Sequence, residues 1–272
     1  MAHPTMMLDH PGWLRDDTGR ARRVLRSASA VWAVVCSPAP EGGHLVEVAR
    51  LAGDAHVAPV VDTIDPGVLA GDAAVCDPLR DGGPVMRLRT CDVWEALGTA
   101  VTRQIIKAAN ARENYRRFCE THGERYDTAA GPAWIFPSPE TVLALSDDEF
   151  AALRMTFFRD GLRSAAEASL KASDDWAGMT GEQLVAAVQG VRRIGPWTAG
   201  ATVADVTNDY SLYPFADLAV RTWAGKLAPS VDWPKPEPDF GWLWQAMAGA
   251  QLSEWTLLTL AWGVRHATGV AI

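Results

Sequence analysis

"VQGVRRIGPWTAG", Val188 to Gly200, decides the fold of the helical half of this chain. It reads as the end of one helix, a tight turn, and the start of another. Gly195 carries no Cβ and is free to take a positive φ, so another backbone could approach it closely. Pro196 presets the dihedral of a first helical residue. The helix it opens presents unpaired N–H groups and the positive end of its dipole, which together make an anion site. Arg192 and Arg193 add cationic reach beside it. A junction serving only helix packing is the alternative reading of the same residues.

Working outward, the helical pattern extends over the last two thirds of the chain. Asp92 caps a helix whose apolar residues Trp94, Leu97, Val101 and Ile105 recur at three and four positions. Ser138 with Pro139, Ser146 with Glu149, and Thr180 with Gln183 mark three further helix starts, the last two as capping boxes. Asp217 stands where another helix begins. Before residue 90 the runs "ASAVWAVVC", "HLVEVARL" and "HVAPVVDTI" are valine-rich and punctuated by Pro, Gly and Asp, which predicts an antiparallel sheet. "CDPLRDGGPVMRLR" reads as a connecting loop. The run "RDDTGRARRVLR", with five arginines, reads as a solvated first helix that could alternatively lie along nucleic acid. The expected architecture is α+β, predominantly α: a small N-terminal sheet domain over residues 1–88 and a helical domain over 89–272.

Composition removes several classes of function. Apolar residues make up 48% and charged residues 21% of the 272, the balance of a globular protein rather than a disordered one. No apolar run reaches the roughly 18 residues of a membrane span. The N-terminal stretch lacks the basic start and apolar segment of a signal peptide. Cys36, Cys76, Cys91 and Cys119 form no C-x-x-C pair, and the six histidines show no ligand spacing, so structural thiols and no metal are expected. A net charge of -8 argues against a partner held by bulk electrostatics, though a few well-placed groups escape that objection.

The segment "GVRRIGPWTAGATVADVTNDYSLYPFADLAVRTWAGKL" resembles the helix-hairpin-helix DNA glycosylases, and most closely their alkylpurine (3-methyladenine) branch. Ile194-Gly195-Pro196-Trp197-Thr198-Ala199 matches the hairpin, and Tyr213-Pro214-Phe215-Ala216-Asp217-Leu218 matches the segment carrying the family's aspartate. "DVWEALGTAVTRQIIKAANA" resembles the first domain helix, with Gln104 at its glutamine. "WIFPSPETVLALSDDEFAALRMTFFRDGLRSAAEASL" and "LSEWTLLTLAWGVRH" resemble later helices, so the likeness covers residues from about 90 onward. Two departures stand out. Arg193 replaces the first hairpin glycine. Trp197 falls where some relatives carry a Schiff-base lysine, and a tryptophan cannot be that nucleophile, so no lyase activity is expected.

The resemblance implies a monofunctional enzyme that excises damaged bases, alkylated purines in that branch, from double-stranded DNA in base-excision repair. Asp217 would stabilise the positive sugar of the transition state and position the attacking water. Its plainer role is a helix cap. The amides of Gly195, Trp197 and Ala199, with Thr198, Arg193 and Gln104, would hold DNA. Ile105 would fill the gap left by the extruded base, or else lie in the core. Trp197 would stack on that base, or else pack internally; Trp242, Trp244 and Trp255 are weaker candidates, and Gln251 and Leu252 fall where some relatives place a pocket aromatic. No cofactor is required and no iron–sulfur cluster is expected, while a monovalent cation on the hairpin carbonyls is allowed. The expected protein is a monomer of the bacterial cytoplasm, nucleoid-associated and not membrane-bound. Two other readings remain: a non-catalytic module that binds DNA structure, and an N-glycoside hydrolase acting on nucleosides.

Overall fold

The computed structural model describes residues 3–54, 56–105 and 108–268. Among the described residues the strands are β1 Thr5–Met6, β2 Leu14–Arg15, β3 Ala21–Ser27, β4 Ala30–Pro38, β5 His44–Ala52, β6 Val61–Ile64, β7 Val85–Leu88, β8 Arg125–Thr128 and β9 Gly131–Trp134. They form a four-stranded antiparallel sheet ordered β2-β3-β4-β5, a three-stranded sheet β1-β7-β6 and the hairpin β8-β9. Two of the valine-rich runs form β4 and β5 of the expected antiparallel sheet, whereas the third supplies β6 of the other sheet, antiparallel to β7, which also pairs in parallel with β1. β4 reads as a continuous apolar run because the sheet is covered on both faces. Val34 and Cys36 face Met6, Leu8 and Leu88, whereas Val31 and Ala33 face Ala133 and Ile135 at the β8-β9 hairpin.

The arginine-rich run is not a first helix. It forms β2, a turn and β3, because Ala21, Val24 and Leu25 are buried in the sheet. The stretch expected as a connecting loop instead holds α1, Ala73–Asp81, followed by β7. Asp72 caps α1 through the Ala74 amide, and burial of Val75, Cys76 and Leu79 outweighs the presence of Pro78 inside the helix.

The helices that follow are α2 Val93–Thr102, α3 Ala108–His122, α4 Pro139–Ala144, α5 Asp147–Ala152, α6 Thr156–Ala177, α7 Gly181–Gln189, α8 Pro196–Thr207, α9 Leu218–Leu227, α10 Glu237–Ala248 and α11 Leu252–Thr268. The caps at Asp92 and Ser138 and both capping boxes form as read. Helices predominate over strands, as expected. Among the described residues no helix is long and apolar enough to cross a membrane.

Two helical cores meet at α8. Ala201 and Ala204 pack with α1, α9, α10 and α11, while Ala199 and Val203 pack with α2 and α6. Every residue from Thr198 to Asp205 is buried. Small side chains let neighbours close in: a Cβ on Gly200 would lie 2.5 Å from the Leu212 carbonyl oxygen. The second helix of the hairpin is therefore the internal partition of the molecule.

Candidate nucleic-acid interface and active site

The turn between α7 and α8 places its strain on one residue. Arg193 has φ 68°, the left-handed region, where an L-residue costs about 1 kcal/mol or more. Gly195, which is free to take a positive φ, is instead extended at φ -88°, ψ 175°. The left-handed residue lies two positions earlier, at the arginine that replaces a glycine. Its guanidinium lies 3.1 Å from Asp160 of α6, with both side chains well exposed. A Cβ on Gly195 would meet nothing within 4 Å, so the space above this residue is open.

No side chain caps α8. Helix geometry leaves the amides of Trp197 and Thr198 without intrahelical acceptors. Ala199 differs from expectation, because its N–H donates to the Gly195 carbonyl at 3.0 Å and its side chain is buried. The Thr198 hydroxyl is buried too, and accepts from Gln104 Nε2 at 2.6 Å. Gln104 and Thr198 therefore lock the loop after α2 onto the hairpin helix rather than offering side chains outward. That loop begins early. α2 stops at Thr102, so Ile105 does not continue its apolar stripe but stands 89% exposed at φ 58°. A β-branched residue at positive φ is an outlier held in place by its surroundings.

Asp217 directly precedes α9, yet its carboxylate caps no amide of that helix. The Tyr213 hydroxyl donates to Asp217 Oδ2 at 3.0 Å instead. Asp217 is half-buried, whereas Tyr213 is buried between Tyr210, stacked at 5.3 Å, and Trp197, edge-on at 6.5 Å. Burial first, then the charge of Asp217, raises the Tyr213 phenol above its usual range and keeps it a donor.

Beside Tyr213 opens a chamber of about 490 Å³, whose lining does not include Asp217 itself. Its wall combines Asp9 and Pro11 of the N-terminal segment, Arg103 after α2, Tyr210 and Tyr213 before α9, and Trp223 on α9. Leu260 and Val264 of α11 complete it. Trp197, expected in the pocket, lies outside this lining. It packs against Tyr213, with the Arg103 guanidinium 6.0 Å from its ring. Trp244 and Trp255 are sealed in the core, and Trp242 is exposed. Gln251 ties the closing helix to the turn at Pro66–Val68, bonding Ala70 N and Val68 O.

Behind the chamber, Arg87 bridges Asp9 at 2.9 Å and Asp205 of α8, and Arg103 reaches Asp205 at 2.8 Å. Burial resists ionisation of Asp9, but the charge and hydrogen bond of Arg87, with help from Arg103, hold its carboxyl below the usual range. Sequence reasoning missed Asp9, Arg103, Tyr210 and Tyr213. Only Tyr213 carried a local signal, since it stands four residues before Asp217. Among the described residues no three His, Cys, Asp or Glu side chains are grouped as a metal site.

No family model matches the chain. A Bacillus subtilis protein, YfjP, provisionally named a DNA-3-methyladenine glycosylase, is 25% identical over 134 residues, covering 47% of this chain and 45% of that protein. The match thus spans less than half of that relative. The fold is shared more widely. The Clostridium acetobutylicum 8-oxoguanine glycosylase/lyase, in complex with DNA containing cytosine opposite 8-oxoG, superposes with a TM-score of 0.71 at 13% identity, over 97% of this chain and 90% of that one. The 3-methyladenine DNA-glycosylase of Archaeoglobus fulgidus gives 0.68 at 15% identity, over 93% and 89%. Mag1 of Schizosaccharomyces pombe, a 3-methyladenine DNA glycosylase solved with abasic DNA, gives 0.50 at 19% identity, over 67% and 84%. The chain has the fold of DNA glycosylases.

Proposed function

We propose that this chain is a monofunctional DNA N-glycosylase that excises alkylated purines from duplex DNA. The carrying observation is Asp217: its carboxylate is free of its own helix and bonded at 3.0 Å to a tyrosine that walls a chamber. In this reading the damaged nucleotide leaves the stack and its base enters the chamber, while Ile105 fills the vacated gap. Phosphate is held over Gly195 by the first amides of α8, with Arg193 alongside. As the C1′–N bond breaks, its electron pair leaves with the base and positive charge develops on the sugar. Asp217 stabilises that charge, and a water adds to C1′ and gives its proton to the carboxylate. The products are a free base and an abasic site.

Aromatic faces of Tyr210, Tyr213 and Trp223 suit an electron-poor alkylated ring. The partial likeness to YfjP supports the same class. Trp197 at the hairpin supports hydrolysis without strand scission, since it supplies no amine. Chamber, carboxylate and hairpin belong to one chain, which fits a monomer working on the DNA of a bacterial cytoplasm. The second reading, a module that binds DNA structure without chemistry, draws on the Arg193–Asp160 pair and the charge of -8.

One assay separates them: duplexes bearing a panel of lesions are incubated with protein, and released base and strand breaks are measured. Release of alkylated purine leaving an intact abasic strand is expected. Asp217→Asn should lose at least about 100-fold in rate while still binding DNA. Full excision by that variant would remove Asp217 from the mechanism, and no release from any lesion would favour the binding module.

A further inference from the structure

α3 starts just beyond Ile105 and leads away from it. Arg112 and Arg116 lie one turn apart on α3, about 6 Å along its axis. Facing them, β2 contributes Arg15 and β3 contributes Arg22, and together the four guanidinium groups line a cleft of about 590 Å³. Pro11, Ala109 and Arg112 line both this cleft and the chamber, so the two adjoin.

The cleft also contains two carboxylates, and only one of them meets a member of the four. Glu113 pairs with Arg117 at 3.4 Å, and Glu120 approaches Arg116 at 3.8 Å. Among the described residues no carboxylate pairs with Arg15, Arg22 or Arg112. Arg22 Nε donates to the Pro132 carbonyl at 2.8 Å, and Arg112 Nη2 to the Leu8 carbonyl at 3.0 Å. These bonds aim the guanidinium groups without cancelling their charge. Partial enclosure and then the charge of Arg112 both pull Arg15 below its ordinary pKa, a sign of cations crowded together. Such an arrangement attracts an anion.

We propose that the Arg15–Arg22–Arg112–Arg116 cleft binds successive phosphates of the DNA strand flanking the extruded nucleotide. The inference rests on the glycosylase reading for the chamber's occupant, but the cleft's own chemistry is phosphodiester binding. It accounts for how a chain of net charge -8 holds a polyanion: four positive groups are gathered in one cleft beside the chamber.

The test measures affinity of the full chain for a duplex with a central abasic-site analogue, over a range of salt. Arg15 and Arg116 are exposed, so Arg15→Ala with Arg116→Ala should leave the melting temperature unchanged. Each lost phosphate contact lowers the slope of log K against log salt by about 0.9, so the double variant should lose about 2 in slope and roughly 10-fold in affinity at physiological salt. Arg125→Ala, an exposed arginine on β8 paired with Asp127, is the control and should leave the slope intact. An unchanged slope in the double variant, an equal loss in the control, or no duplex binding at all overturns the proposal. Base release is scored separately. A slope loss without base release keeps the cleft and sinks the glycosylase, and normal release with an unchanged slope does the reverse.

Discussion

Arg193 adopts the conformation for which the resembling family uses glycine, and nothing in its side chain makes φ 68° comfortable. Its ion pair with Asp160 is exposed and therefore weakened by solvent screening. Relief of the left-handed strain in Arg193→Gly should therefore raise stability by about 1 kcal/mol, read as a rise of about 2–4 °C in melting temperature. A fall instead would mean that the ion pair outweighs the strain. Asp217 shows the complementary case at this scale. A carboxylate before a helix reads equally as cap or catalyst from sequence, and the choice lies in which donor it meets. Here the donor is Tyr213, not an α9 amide.

At the scale of elements, α2 is informative at both ends. Its stripe of apolar residues predicted a helix running through Ile105, but the chain turns after Thr102. Arg103 is drawn to Asp205 and Gln104 to Thr198, and these two contacts fix the turn that leaves Ile105 outward. At the other end Asp92 caps the helix through the Trp94 amide while burial, and then the charge of Glu95, push its carboxyl up to about 6. The folded chain thus holds this proton more tightly than the unfolded chain, whose aspartate titrates near 3.8. Stability contributed by the protonated cap is present below about pH 4 and falls as pH rises to about 6. Asp92→Asn keeps the cap and removes the titration. It should be more stable than the parent at pH 7.5, by at most about 3 kcal/mol, and indistinguishable near pH 4. Urea unfolding of both proteins at the two pH values measures this, and an equal difference at both would discard the account.

For the whole molecule, the decisive contacts join distant parts of the chain. Arg87 on β7 holds Asp9 from the N-terminal segment and Asp205 from α8, and all three side chains lie at or behind the chamber. Arg87→Ala would leave two carboxylates without that partner in a largely buried site. A loss of about 3–5 kcal/mol is expected in thermal or denaturant unfolding. A loss under about 1 kcal/mol would show that the sheet and the helical cores do not depend on this bridge.

The sequence by itself determined the helix starts at Ser138, Ser146, Thr180 and Pro196, the valine-rich antiparallel strands, and the separation of the Gly195 turn from Asp217. These signals act within a few residues or along one element, so pattern and capping chemistry suffice to read them. Tertiary structure alone decided that a Pro-containing stretch becomes α1, that the arginine run becomes β2 and β3, and that Tyr213 rather than Trp197 walls the chamber. It also gathered Asp9, Arg103 and Tyr213 around one cavity, and Arg15 and Arg112 around another. Burial and charge pairing between residues up to about two hundred positions apart set those outcomes, and they override local propensity because they act only once the chain has closed on itself.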